Sequence, residues 1–279
     1  MSTGSDFLLV EPDARTAALS GAFCAVADDS NAVLFNPAGL VLCRNDIFSF
    51  TYYSSFADTS YEYFSFAHAA GDFAYGASLL YDSTANFNWI NSAGVNNGAV
   101  ENYDVVVSGA AAYSIFPWLS AGLNVKYFQS ILYTYSKQGM AVDAGVLLKL
   151  RDDPGVFLGC SLQNLGSQSA YDLITDALPA NLRIGVAVKY AATEYCKMTY
   201  AAEIDRLIFM DDLPDICAGI EAEFYGMYFL RAGIGLKNEG NSASIGVGVL
   251  LLNRLNVSYT FQPLGDLGNA QRISTDIDF

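Results

Sequence analysis

The chain has a single histidine, His68, and only 14 Lys and Arg in 279 residues. One histidine and five cysteines (Cys24, Cys43, Cys160, Cys196 and Cys217) without zinc-type spacing make no metal set. No Gly-x-Ser-x-Gly nucleophile motif is present, so neither catalysis nor a cofactor is expected. Against 29 Asp and Glu the few basic residues leave a net charge of −15, the wrong sign for a nucleic-acid partner. Charged residues make up 15%, against roughly 25% in ordinary soluble proteins. Long apolar runs are missing too. A spanning helix needs about 20 apolar residues, and the run at 245–252 is typical in stopping early.

What remains is rich in 18 Tyr, 18 Phe and 24 Gly, with 52% hydrophobic residues overall. That composition favours strands. If the chain spans a membrane it must do so as a closed β-barrel, because only helices and closed barrels satisfy their backbone groups in lipid.

Period-2 alternation runs through most of the sequence. Leu119, Ala121, Leu123, Val125 and Tyr127 oppose Ser120, Gly122, Asn124, Lys126 and Phe128. Tyr228, Leu230, Ala232, Ile234 and Leu236 oppose Phe229, Arg231, Gly233, Gly235 and Lys237 in the same way. In a soluble sandwich the apolar face would be the core and the other face a solvated one rich in Lys, Glu and Thr. Here the second face is mostly Gly, Ala and Ser with a few charges, which suits a barrel lining better.

Segmentation predicts fourteen strands, near 46–56, 59–70, 73–82, 101–113, 119–132, 139–150, 155–164, 180–190, 196–208, 215–225, 227–237, 242–251, 254–262 and 271–279. Short connections alternate with mostly longer ones, notably 83–100 and 165–179, as periplasmic turns and extracellular loops do. The fold class expected is therefore all-β, a 14-stranded antiparallel transmembrane barrel spanning 46–279. Its C-terminal strand ends on Phe279 and resembles the sorting signal read by the barrel-assembly machinery.

Residues 1–45 have another texture. Asp13 to Ala27 is Ala-rich with helical character interrupted by Gly21. Asp28, Asp29 and Ser30 can cap a short helix from Asn31 to Phe35, which Pro37 and Gly39 end. So short a segment cannot form its own core, and a fourteen-strand barrel has room to hold it as a small hatch containing short helices.

Ala14 to Phe23, Ala25 to Asp29 and Phe35-Asn36-Pro37-Ala38-Gly39-Leu40 resemble the N-terminal signature of PorV/PorQ-like outer-membrane proteins and their spirochaete relatives, within the FadL-like superfamily. Leu267 to Ser274 resembles the family's stretch before its last strand. The resemblance implies an outer-membrane transporter taking up long-chain fatty acids or similar hydrophobic molecules by diffusion. Its hatch would comprise Phe35, Asn36, Pro37, Ala38 and Gly39. Partners implied are the hydrophobic ligand, outer-membrane lipids and, if the chain is instead a PorV-like structural protein, a secretion partner. No signal peptide is visible, so the sequence is expected to begin at or near the mature N-terminus in the bacterial outer membrane.

Candidate ligand contacts are Phe87, Trp89 and Ile90, with Leu173 and Ile174, in the two long loops. Among the expected lumen charges (Lys126, Asp143, Lys149, Arg183, Lys189, Glu203, Asp205, Glu221, Glu223, Arg231 and Lys237), Arg183 and Arg231 are the candidates to hold a carboxylate. The others more simply tie the hatch to the wall. Pairing of Cys24 with Cys43 is open, and small apolar packing is the default for all five thiols.

Overall fold

A computed structural model describes every residue except 1–3, 57–58, 85–86, 91, 101, 134, 170–175, 211–212 and 239, together with the side chains of 87–89 and 97–100. Sixteen strands follow in chain order: β1 (Ile47–Ser54), β2 (Thr59–Ala70), β3 (Phe73–Thr84), β4 (Phe87–Ile90), β5 (Asn96–Val100), β6 (Asn102–Phe116), β7 (Leu119–Leu132) and β8 (Tyr135–Asp152). They continue as β9 (Gly155–Gln168), β10 (Asn181–Thr193), β11 (Cys196–Leu207), β12 (Asp215–Phe224), β13 (Tyr228–Leu236), β14 (Ser242–Leu251), β15 (Leu255–Pro263) and β16 (Asn269–Asp278). Fourteen of these close into an antiparallel barrel in which β1 pairs with both β2 and β16. β4 and β5 form a separate hairpin in the connection between β3 and β6, within the 83–100 link where the sequence predicts a long loop.

The alternation decides which way the wall faces. On β7 Leu123 and Val125 are 58% and 48% exposed, while Asn124 and Lys126, which alternate with them, are 0% and 2% exposed. The same inversion holds along β8, where Met140 and Val142 are exposed and Ala141 and Asp143 buried. A barrel that is apolar outside and polar inside is built for lipid. Exposed aromatics gather at both rims, with Phe116, Trp118, Tyr195, Tyr225 and Phe279 at the short-turn end and Tyr52, Phe56, Tyr133, Tyr135 and Phe209 at the long-loop end. Among the described residues no helix is long and apolar enough to cross a membrane. The short turns use left-handed backbone, as at Leu252 (φ 53°) and Asn253 (φ 56°), matching the twist of a two-residue hairpin.

Several strand ends differ from the sequence reading, β1 stopping short at Ser54 and β6 running on to Phe116. β8 starts at Tyr135 and β9 runs to Gln168, each about four residues further toward the long-loop end than expected. Polar residues there stay paired, with Tyr127 donating to Gln138 (3.0 Å), so polarity does not mark the strand limit.

The N-terminal segment runs inside the barrel. Its Ala-rich part forms only one short helix, α1 (Ala14–Ala18), capped by the Asp13 carboxylate on the Arg15 and Thr16 amides (2.8 and 3.1 Å). The left-handed residues Ser20 and Gly21 end it, which the Ala content alone did not reveal. A second helix, α2 (Ala32–Phe35), leads through Asn36 into a 3-10 turn at Pro37–Leu42. Cys24 and Cys43 are both buried and both free thiols, so the pairing left open in the sequence is not made.

Candidate functional site

The barrel wall is bare where the N-terminal backbone lies against it. A Cβ added at Gly145 would come within 2.1 Å of Asn36 Oδ1, at Gly122 within 2.5 Å of the Pro37 carbonyl carbon, and at Gly159 within 2.4 Å of Cys24 O. Only glycine permits that approach. Asn36, fully buried, donates through Nδ2 to Cys24 O (2.9 Å) and to Val146 O on β8 (3.1 Å), while its Oδ1 accepts from Ala38 N (3.2 Å). Ser120 Oγ donates to Ala38 O (3.0 Å), and Gln163 Nε2 donates to the carbonyls of Leu34 and Phe35 (2.7 Å each). Phe35 stacks edge-on with Phe23 at 5.4 Å. The candidates Phe35 to Gly39 therefore sit together, bonded to the wall through backbone and Asn36.

Charges tie the same segment down on the other side. Arg15 grips Glu221 of β12 with two hydrogen bonds of 2.9 Å and donates to Asp28 and Asp29 at 2.7 Å. Lys189 of β10 reaches Val26 O (2.9 Å) and Asp28 (2.7 Å), and Glu203 of β11 accepts from the amides of Phe23 and Cys24. Burial alone would raise the Asp28 carboxyl, but Arg15 and Lys189 hold it well below the usual carboxylate range. Glu11 behaves likewise, kept low against its burial by Lys237, Arg183 and Arg272. Asp29 moves the other way, because burial outweighs Arg15. Burial also pushes the Cys24 thiol well up.

Toward the long-loop end this packing opens into a mainly apolar cavity lined by Phe7, Leu8, Leu9, Val10, Leu34, Phe35, Leu80 and Val106, with Ser78, Lys126, Gln163 and Arg183 as its polar members. Only about 30 Å³ of it is open to the centres of water molecules, so a guest must displace side chains. The residues most able to give way are Phe7 and Leu8, in a 3-10 turn at Asp6–Leu9 that has no residue fully buried. They pack against Tyr63, Leu80, Val106, Phe128, Ala141 and Leu178, with Phe7 edge-on to Phe128 at 5.7 Å.

Of the sequence candidates, Arg183 lines this cavity and Arg231 does not. Arg231 lies nearer the short-turn end, donating to Glu221 (2.6 Å) and Ser258 (3.0 Å), and so belongs to the wall that holds Arg15. Ile90 is exposed on the β4–β5 hairpin, away from the cavity lining. The side chains of Phe87 and Trp89, and Leu173 and Ile174 altogether, lie outside the described residues. Of the expected lumen charges, Lys126 pairs with Asp143 (2.8 Å), Lys237 with Glu11 (3.0 Å) and Arg183 with Asp205 (2.9 Å), whereas Lys149 pairs with Asp152 at a turn (2.5 Å) and Glu223 with Lys197 (2.7 Å). The sequence reading missed the lining residues Phe7 to Val10, Leu80 and Val106. Leu80 and Val106 carried a signal, since Leu79-Leu80 and Val105-Val106-Val107 break the alternation by placing apolar side chains on both faces.

The architecture recurs in solved transporters. The Ralstonia pickettii toluene transporter TbuX superposes with a TM-score of 0.65 at 14% identity over 96% of this chain and 98% of its own. The P. putida toluene transporter TodX gives 0.64 at 12% identity, and a Pseudomonas aeruginosa FadL homologue 0.60 at 10%, both over 96% of this chain and 98% of theirs. At such identities the likeness is one of fold, and the fold is the FadL-type fourteen-strand barrel. No curated protein matches the chain. The sequence model of the uncharacterised protein family UPF0164 matches residues 5–146, the N-terminal segment and the barrel strands from β1 into β8, and the chain belongs to that family.

Proposed function

We propose that the protein is a passive bacterial outer-membrane channel for hydrophobic molecules, the class that spans long-chain fatty acids and hydrocarbons. One observation carries this reading: a mainly apolar cavity lies directly above an N-terminal segment that is bonded to the wall from β2 round to β16. A general water-filled pore has no use for either. The toluene transporters and the FadL homologue that share the fold support the ligand class. In this reading residues 1–45 are the hatch, the long-loop end faces outward, and the hairpin carrying Phe87, Trp89 and Ile90 meets the ligand first. The ligand then enters beside Arg183 by displacing Phe7 and Leu8, and leaves through a gap in the wall or hatch without cofactor or energy source.

Purified protein reconstituted in lipid should bind and pass such molecules, and native mass spectrometry should find a lipid-sized guest in the lumen. Neither binding nor uptake by a folded barrel would refute the reading. An empty cavity together with a co-purifying protein would favour a scaffolding role instead.

A further inference from the structure

The two cations of the cavity lining are both already paired with acids. Lys126, 3% exposed, spends its ammonium on Asp143 (2.8 Å) and on Asn164 Oδ1 (2.8 Å). Arg183 meets Asp205 through Nη2 (2.9 Å) and Glu203 through Nη1 (3.4 Å), with its guanidinium 4.7 Å over the Phe35 ring. Beyond the lining, Asp82 and Asp104 stand opposite each other on β3 and β6, two positions along from Leu80 and Val106. Lys137 lies near Asp104, within the fields of Asp176 and Asp6 as well. Each cation of the lining therefore faces at least one carboxylate, and with Asp82 and Asp104 nearby the surround of the lining is rich in acids.

Of the nitrogen donors of these two lining cations, one is left without an acceptor. Arg183 is 7% exposed, and its Nε has no hydrogen-bond partner although the other two nitrogens are engaged. A buried unpaired N–H is costly, so an acceptor that reaches it is favoured. A carboxylate could use that donor, but it would bring its charge close to Glu203 and Asp205 in a poorly hydrated space. Like charges juxtaposed there are strongly disfavoured. A hydroxyl or carbonyl oxygen gains the bond without the repulsion.

We propose that this cavity selects uncharged hydrophobic molecules carrying one hydrogen-bond acceptor, such as a medium-chain alcohol, over the carboxylate of the same chain length, with Arg183 Nε as the donor and Asp205 and Glu203 as the elements that exclude the anion. The proposal rests on the transport reading and narrows it. The test is equilibrium dialysis of 1-decanol and decanoate against the full-length protein in nanodiscs at about pH 8, where the acid is ionised, with protein-free nanodiscs as the blank. Decanol should bind about tenfold or more tightly than decanoate. Asp205→Asn should raise decanoate affinity while leaving decanol within about threefold, because only the anion feels the removed charge. Decanoate binding as well as decanol in the native protein would overturn the selection and leave the channel reading intact. No change in decanoate affinity in a folded Asp205→Asn protein would overturn the role given to Asp205. Failure of both ligands to bind a barrel shown to be folded would overturn the channel reading itself. If the variant does not fold, the native ratio alone decides the selection.

Discussion

Asn36 of the N-terminal segment and Gly145 of the wall form a matched pair. The amide of Asn36 supplies two donors and one acceptor within a buried corner, and Gly145 clears the space in which its Oδ1 sits. Gly145→Val would drive methyl groups into Asn36 and Pro37, with overpacking costing about 1–3 kcal/mol. The expected result is a loosened N-terminal segment whose Cys24 thiol reacts with a maleimide, whereas in the native protein it is buried and its thiolate disfavoured. Gly109→Val is the control, since nothing lies within 4 Å of a Cβ there, and it should leave Cys24 unreactive. Equal labelling of Cys24 in the two variants would contradict this account. The pair also shows what a sequence can and cannot disclose. Asn36-Pro37 stands out as a turn signal on its own, but its partners Gly145 and Val146 O lie more than a hundred residues away, and no local pattern points to them.

At the level of elements, α1 and the acids that follow it are held by ions. Asp28 and Glu11 titrate below the ordinary carboxylate value, so their contribution is present above about pH 4 and is lost as pH falls through the depressed native values. Asp29 has the opposite sign and slightly favours the acidic side. Two depressed groups against one raised group should keep the segment seated from neutrality down to about pH 4 and release it only below that. Limited proteolysis across a pH series, with an acid protease such as pepsin at the low end, reads the release directly. Release already between about pH 7 and pH 5 would mean that the Arg15 and Lys237 pairs are not what holds the segment. Strands were legible because each repeats a two-residue pattern several times, and all fourteen barrel strands stand where the alternation put them, apart from their ends. The cavity was not, because Phe7 to Val10 is four apolar residues without a period, and a run that short is compatible with any structure.

For the whole molecule the dominant interaction is between the outer wall and lipid. Leu123, 58% exposed near the middle of β7, stands in the apolar belt. Leu123→Arg should destabilise the reconstituted barrel by roughly 2–4 kcal/mol, the depth-dependent cost of a cation on a lipid face. Urea unfolding from lipid vesicles measures it, and a soluble barrel would show no such loss.

The seam of the barrel lies between β1 and β16, the first and last strands of the chain to be made. The N-terminal segment is bonded across both sides of that seam: Ser30 Oγ pairs with Ser65 of β2, and Ala14 is fixed between Thr260 of β15 and Ser274 of β16. The two margins that backbone pairing joins at β1 and β16 are thus laced together a second time, from inside, by the segment that bonds to strands on either side of them.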